Sequence, residues 1–125
     1  MPGPAFRIPS SHATCRHPPP RHRIASLRTD RRRQILKEAW TGDAVLTLYA
    51  REWILRTDGD IDGEKAVRLC CNRFLATFGE PSEVEAEIGR VYADQGLAPA
   101  FAWIEARLLP NFLKQEEKRR KPHSC

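Results

Sequence analysis

Three short runs of this sequence carry acidic residues at spacings that could bind a divalent cation. In the loop 58–63, three aspartates alternate with other residues. Asp43 follows Gly42 in an apolar stretch, and three glutamates alternate with apolar residues over 83–87. Carboxylate oxygens are the ligands that magnesium and calcium prefer. A metal held in this way can promote hydrolysis of a phosphate ester.

The loop 58–63 matches only the first half of an EF-hand calcium-binding loop. A complete EF-hand loop needs a bidentate Glu at its twelfth position, and that position here is Leu69. Since Leu cannot ligate a metal, we interpret the loop as a solvated turn between two helices.

The residues alone leave two interpretations open for each of the other runs. Asp43 is either paired or metal-bound inside the fold, because an unpaired buried carboxylate is costly, or it faces solvent on a polar edge of its helix. Glu83 and Glu87 share one helical face, whereas Glu85 points elsewhere, closer to the apolar side. All three glutamates would also suit the positive end of a helix, which needs no site at all.

The hydrophobic pattern predicts an all-α fold with about four helices, because no strand-like alternation occurs. Gly42 lies inside the first helix at a cost of about 1 kcal/mol, which suggests close approach of backbone or ligand there. The predicted helices run from a cap at Asp30 to about Arg56, from Glu64 to Phe78, from Pro81 to about Asp94, and from near Pro99 to Pro110.

Composition divides the chain into three predicted parts. Residues 1–29 are rich in Pro and Arg and are predicted to be disordered, 30–113 form the helical domain, and 114–125 form a charged tail. The net charge of +5 comes entirely from five arginines in residues 1–29, so the domain itself is formally neutral. No apolar stretch approaches the roughly 20 residues that span a bilayer, and no secretory signal peptide is evident, so we expect a cytoplasmic protein without membrane association.

Two of these runs together resemble the ribonuclease III family. The signature of that family, a Gly-Asp followed by small and apolar residues on a buried helix, is similar to Gly42-Asp43-Ala44-Val45-Leu46. Its second conserved helix is similar to Val84-Glu85-Ala86-Glu87-Ile88-Gly89 and the residues to Leu97. The resemblance covers about residues 35–110 and is strongest to the mini-ribonuclease III branch, which also lacks a double-stranded RNA-binding domain.

This resemblance implies an all-helical homodimer that hydrolyses double-stranded or structured RNA with Mg²⁺. Asp43 and Glu85 would be the catalytic, metal-binding carboxylates, and a ribosomal RNA precursor would be a substrate. The apolar helix around Val45–Tyr49 is expected to lie at the two-fold interface. RNA affinity would come from the dimer face and the basic termini.

The sequence departs from the family at two carboxylate positions, which are Ala39 and Ser82 here. Glu38 and Glu83 lie one residue away, but a step of one residue rotates a helical side chain by about 100°. An alternative class is therefore open: a catalytically inactive ribonuclease III-like module that binds RNA or the ribosome.

Overall fold

The computed structural model describes residues 23–120 of the chain, with side chains from Leu27 onward. This range is helical and contains no strand, so the predicted all-α class is confirmed. The helices, in chain order, are α1 (Arg23–Asp58), α2 (Gly63–Cys70), α3 (Asn72–Leu75), α4 (Pro81–Gln95), α5 (Leu97–Arg107) and α6 (Leu109–Arg120).

Helix α1 is the central element, and the core is built along one side of its second half. Its residues at helical spacing, including Leu46, Tyr49 and Trp53, are buried against the other helices. Apolar side chains on α4, α5 and α6 complete the core, among them Ile88, Ile104 and Phe112, together with Leu108 between α5 and α6. Amphipathic helices reach this arrangement by burying their apolar stripes against one another.

The start of α1 differs from the prediction. The helix includes Arg23, so Asp30 lies inside it and is not its cap, and residues 23–29 are helical where the sequence predicts a disordered tail. A packed helix can extend into a polar segment without a new nucleation step, which propensity in the segment alone does not reveal. Residues 1–22 of the predicted tail lie outside the described residues.

The single helix predicted over 64–78 is also wrong, because extended backbone at Cys71 separates α2 from α3. Leu69 on α2 and Phe74 and Leu75 on α3 are all buried. A continuous helix would point residues 69 and 74 about 140° apart. The extended residue turns both apolar sets toward the same core.

The segment 114–125, predicted to be a charged tail, continues α6 as far as Arg120. Residues 114–120 continue α6, whose Phe112 is fully buried. Farther along the helix, both carboxylate oxygens of Glu116 accept hydrogen bonds from Arg68 on α2, at 2.8 and 2.9 Å. Charge therefore does not separate this segment from the domain, and residues 121–125 lie outside the described residues.

The aspartate-rich loop forms an interhelical turn, as predicted. Asp62 caps α2 by accepting a hydrogen bond from the backbone N–H of Lys65 at 3.0 Å. The ammonium of Lys65 in turn pairs with Asp58 at 3.0 Å. The carboxylates of this loop therefore cap a helix and pair with a cation of the chain itself.

Over residues 23–120, no helix is both long and apolar enough to cross a membrane.

Candidate active site

Helices α1 and α4 approach each other very closely at Gly42 and Gly89. Both glycines are buried. A Cβ atom on Gly42 would overlap the carbonyl oxygen of Glu85 and lie 2.9 Å from the backbone nitrogen of Gly89. A Cβ atom on Gly89 would overlap the carbonyl oxygen of Glu38. The two backbones meet here because neither helix carries a side chain at the crossing, which confirms the close approach predicted at Gly42.

This crossing brings the two predicted carboxylates together. Asp43 follows Gly42 and is exposed, while Glu85 supplies the carbonyl that faces Gly42 and is half-buried. The carboxyl groups of Asp43 and Glu85 are close enough to interact, and Asp43 contributes to a raised pKa of Glu85. The sequence left Asp43 either paired inside the fold or exposed to solvent. In the structure it is exposed and also interacts with Glu85.

The environment of Glu85 favours its protonated form. Burial, the neighbouring carboxyl group of Asp43 and the charge of Glu80 raise the pKa of Glu85 to about 7. Near neutral pH the Glu85 carboxyl group is therefore partly protonated, and a bound cation could replace its proton.

The thiol of Cys70 borders the carboxylate pair. Its sulfur lies 3.9 Å from the carbonyl oxygen of Leu46 and interacts with the side chain of Thr47. Burial, together with the charges of Asp43 and Glu85, raises the pKa of this thiol to about 11. Because the thiolate is the reactive species, Cys70 is protonated and unreactive at neutral pH.

The acidic residues next to Ala39 and Ser82 do not join the pair. Glu38 accepts hydrogen bonds from Arg90 at 2.8 Å and from Gln34 at 3.0 Å, and these contacts lower its pKa. Glu83 is exposed on the first turn of α4. Both Glu38 and Glu83 therefore point away from the pair, as the rotation of about 100° between neighbouring helical residues predicts.

Sequence reasoning missed two residues near the pair. Glu80 caps α4, and its charge contributes to the raised pKa of Glu85. Arg32 on α1 lies 3.5 Å from the carboxylate of Glu80. The position of Glu80 just before Pro81 is a recognisable helix-start signal, but no sequence pattern links it to residues on α1.

The described residues supply two carboxylates to this site and no more. Within residues 23–120, no group of three or more His, Cys, Asp or Glu side chains comes together in a way that could hold a metal. Ala39 is buried and Ser82 is half-buried, and neither adds a charged side chain to the site.

Comparison with known proteins adds no relative to this picture. No protein-family model, curated protein or solved structure matches the chain.

Proposed function

We propose that this protein is a magnesium-dependent endoribonuclease that cleaves double-stranded or structured RNA, with Asp43 and Glu85 as its metal-binding, catalytic carboxylates. The observation that carries the proposal is the close approach of α1 and α4 at Gly42, which brings the carboxyl groups of Asp43 and Glu85 near enough to interact. The resemblance to ribonuclease III points independently to the same two residues.

The chemistry of the pair fits a hydrated magnesium ion. Magnesium retains several water molecules and is often bound by only one or two protein carboxylates. The half-buried Glu85 and exposed Asp43 leave the pair open on one side to water and to a phosphate. When bound, magnesium would lower the pKa of a water molecule and neutralise charge on the phosphate.

The reduced ligand set favours the mini-ribonuclease III type over the full enzyme. We propose a structured RNA such as a ribosomal RNA precursor as substrate, and the cytoplasm as the compartment. The second candidate function is an inactive RNA- or ribosome-binding module. It is favoured by Ala39 and Ser82, and by the lack of a third ligating side chain at the pair among the described residues.

Cleavage of a long RNA duplex, with and without Mg²⁺, tests the enzymatic proposal. We expect magnesium-dependent nicking that is abolished by Asp43→Asn and by Glu85→Gln. Glu83→Gln is the matched control, because it removes an exposed carboxylate from the same helix and should retain activity. Binding without nicking would support the inactive module, and nicking that survives both substitutions would exclude this site.

A gain-of-ligand variant provides an independent measurement. Ser82 lies in the first turn of α4, where an acidic side chain is favoured by the helix dipole. Ser82→Asp would add a carboxylate three residues before Glu85, at the position where the family has one. Titration calorimetry with Mg²⁺ should detect tighter binding by this variant than by the natural chain. An unchanged affinity would argue against a metal site at the pair.

We further propose a homodimer, but through a different face of α1 from the one expected. Val45, Leu46 and Tyr49 are buried in the chain's own core, which accounts for their apolar character without a partner. The outward face of α1 instead exposes large apolar side chains. These are Trp40, 82% exposed, with Leu36, Leu48 and Leu55 at 45%, 40% and 51%. Exposed apolar patches of this kind often mark protein interfaces.

The same face continues into an apolar groove between α1 and α2. The groove has a volume of about 470 Å³ and is lined by Leu55, Ile61 and Val67 among other residues. A two-fold interface needs such self-complementarity, because one patch on each subunit must both insert and receive. In the proposed dimer, Trp40 of each subunit would insert into the groove of the other.

Sedimentation at micromolar concentration tests the dimer. Trp40→Ser should weaken self-association by roughly tenfold or more, since buried aromatic residues dominate interface energetics. Leu113→Ser on α6 is the control, because it removes another half-exposed apolar side chain outside the proposed face. A natural chain that sediments as a monomer would contradict the proposed dimer.

A further inference from the structure

Residues 23–34 form the first part of α1, which we call the arginine arm. Every described side chain from Leu27 to Gln34 is exposed, and the first buried residue of the helix is Ala39. From the helical rise, the arm is roughly 18 Å long. Its described side chains are largely open to solvent, and Arg31, Arg32 and Gln34 lie beside α4.

The arm carries a concentrated positive charge. Its one acidic residue is Asp30, and its five basic residues are Arg23, Arg28, Arg31, Arg32 and Arg33. Arg32 lies 3.5 Å from Glu80 on α4. Within the part of the chain that the structure describes, Arg28, Arg31 and Arg33 have no ion-pair partner. The formal neutrality of residues 30–125 thus conceals a local excess of positive charge.

This charge works against the helix that carries it. The first turn of α1 contains no acidic residue to balance the positive end of the helix dipole. Arg28 and Arg32 are four residues apart, a spacing at which like charges repel on a helix. A bound polyanion would relieve both effects, so its binding should stabilise the helical arm.

The arm leads along α1 toward the carboxylate pair. The contact of Arg32 with Glu80 holds the arm beside the start of α4, five residues before Glu85. Along α1, Arg32 and Asp43 are separated by roughly 16 Å. The phosphate backbone of one RNA strand could therefore contact both Arg32 and Asp43.

We propose that the arginine arm binds the phosphate backbone of an RNA duplex and holds it across the carboxylate pair. This inference rests on the proposed function, and it assigns the binding of RNA to a discrete element that carries no catalytic residue. An anionic membrane is less well suited, because Leu27 is the one large apolar side chain exposed between residues 27 and 34. Membrane-surface helices need a continuous apolar face.

The test measures binding of a fluorescent RNA duplex in EDTA, where cleavage cannot contribute. The arm variant is Arg28→Gln/Arg31→Gln/Arg33→Gln. Removing one arginine that binds a phosphate should reduce the slope of log affinity against log salt by about 0.9, and removing all three should reduce it by about 2.7. The charge-matched control is Lys114→Gln/Lys118→Gln/Arg120→Gln on α6, where all three side chains are exposed. Its slope should change by less than about one.

Amide hydrogen exchange on the natural chain gives a second readout. Exchange over residues 23–34 should slow when the duplex binds, because the polyanion stabilises the arm. A salt slope that is unchanged in the arm variant, or reduced equally in the control, would overturn the proposal. Tighter arm-dependent binding to phosphatidylserine vesicles than to the duplex would overturn it in favour of a membrane.

These outcomes separate the arm from the proposed catalysis. An arm-dependent salt slope without magnesium-dependent nicking would support the arm while the enzymatic proposal failed. Nicking by the natural chain, with duplex binding that does not depend on the arm, would overturn the arm alone. If the natural chain bound no duplex in EDTA, the arm proposal would also be overturned.

Discussion

Gly42→Ala should destabilise the fold and open the carboxylate pair. In an isolated helix this substitution would be favourable by about 1 kcal/mol. Here the new methyl group would overlap the Glu85 carbonyl oxygen and lie 2.9 Å from the Gly89 nitrogen. Both are backbone atoms, so they cannot move aside without separating α1 from α4. Overpacking in a close-packed interior costs about 1–3 kcal/mol, and rigid backbone neighbours place this site at or above the upper end.

The two effects together predict a net loss of about 2 kcal/mol or more in the free energy of unfolding. For a domain of this size, that corresponds to a fall of about 8–16 °C in melting temperature. Circular dichroism at 222 nm measures both thermal and urea unfolding. Gly63→Ala is the control, because a Cβ atom there has no neighbour within 4 Å. It should change stability by less than about 0.5 kcal/mol.

The same variant should alter the chemistry of the site. If α1 and α4 separate, Asp43 moves away from Glu85, and the pKa of Glu85 should fall from its value of about 7. Titration of the Glu85 carboxyl carbon by NMR measures this shift. A Gly42→Ala protein that is as stable as the natural chain, with the Glu85 pKa unchanged, would refute the argument that the glycine contact holds the pair together.

Three further predictions follow from particular contacts. Because the pKa of Glu85 is raised in the fold, the unfolding free energy should decline between about pH 4.5 and pH 7, and Glu85→Gln should remove that decline in urea titrations. The two hydrogen bonds from Arg68 to Glu116 should give a coupling of about 1 kcal/mol in a double-mutant cycle, and a coupling near zero would mean that α6 is held by apolar packing alone. Phe112→Ala should cost about 3–5 kcal/mol in chemical denaturation, and a decrease below about 1 kcal/mol would contradict its full burial.

The sequence by itself was sufficient for the features that depend on local pattern. The third predicted helix agrees with α4 to within one residue, because Pro81 and Gly96 mark its ends. The aspartate loop was correctly interpreted as a turn, since Leu69 occupies the position where an EF-hand loop needs a Glu. The close approach at Gly42 was predictable, because a glycine inside an apolar helix has a cost that close packing can explain.

The sequence was misleading where tertiary contacts override local pattern. The apolar run 45–49 was compatible with the interior of the fold or with a subunit interface, and Val45, Leu46 and Tyr49 are buried in the chain's own core, while the exposed Trp40 was not recognised as a surface feature. Likewise, the charged segment after Leu113 resembled a solvated tail, although Glu116 pairs with Arg68. Composition cannot distinguish a solvated charge from one whose partner lies on a distant helix.

The identities of Asp43 and Glu85 were available from sequence, but their contact was not. That contact depends on the distance between α1 and α4. The distance is short because Gly42 and Gly89 face each other where the helices cross. The same packing places Glu80 near Glu85 and raises the pKa of a carboxyl group that in isolation would ionise in acid. Residue types determined which groups could react, and the distance between two helices decided that they meet.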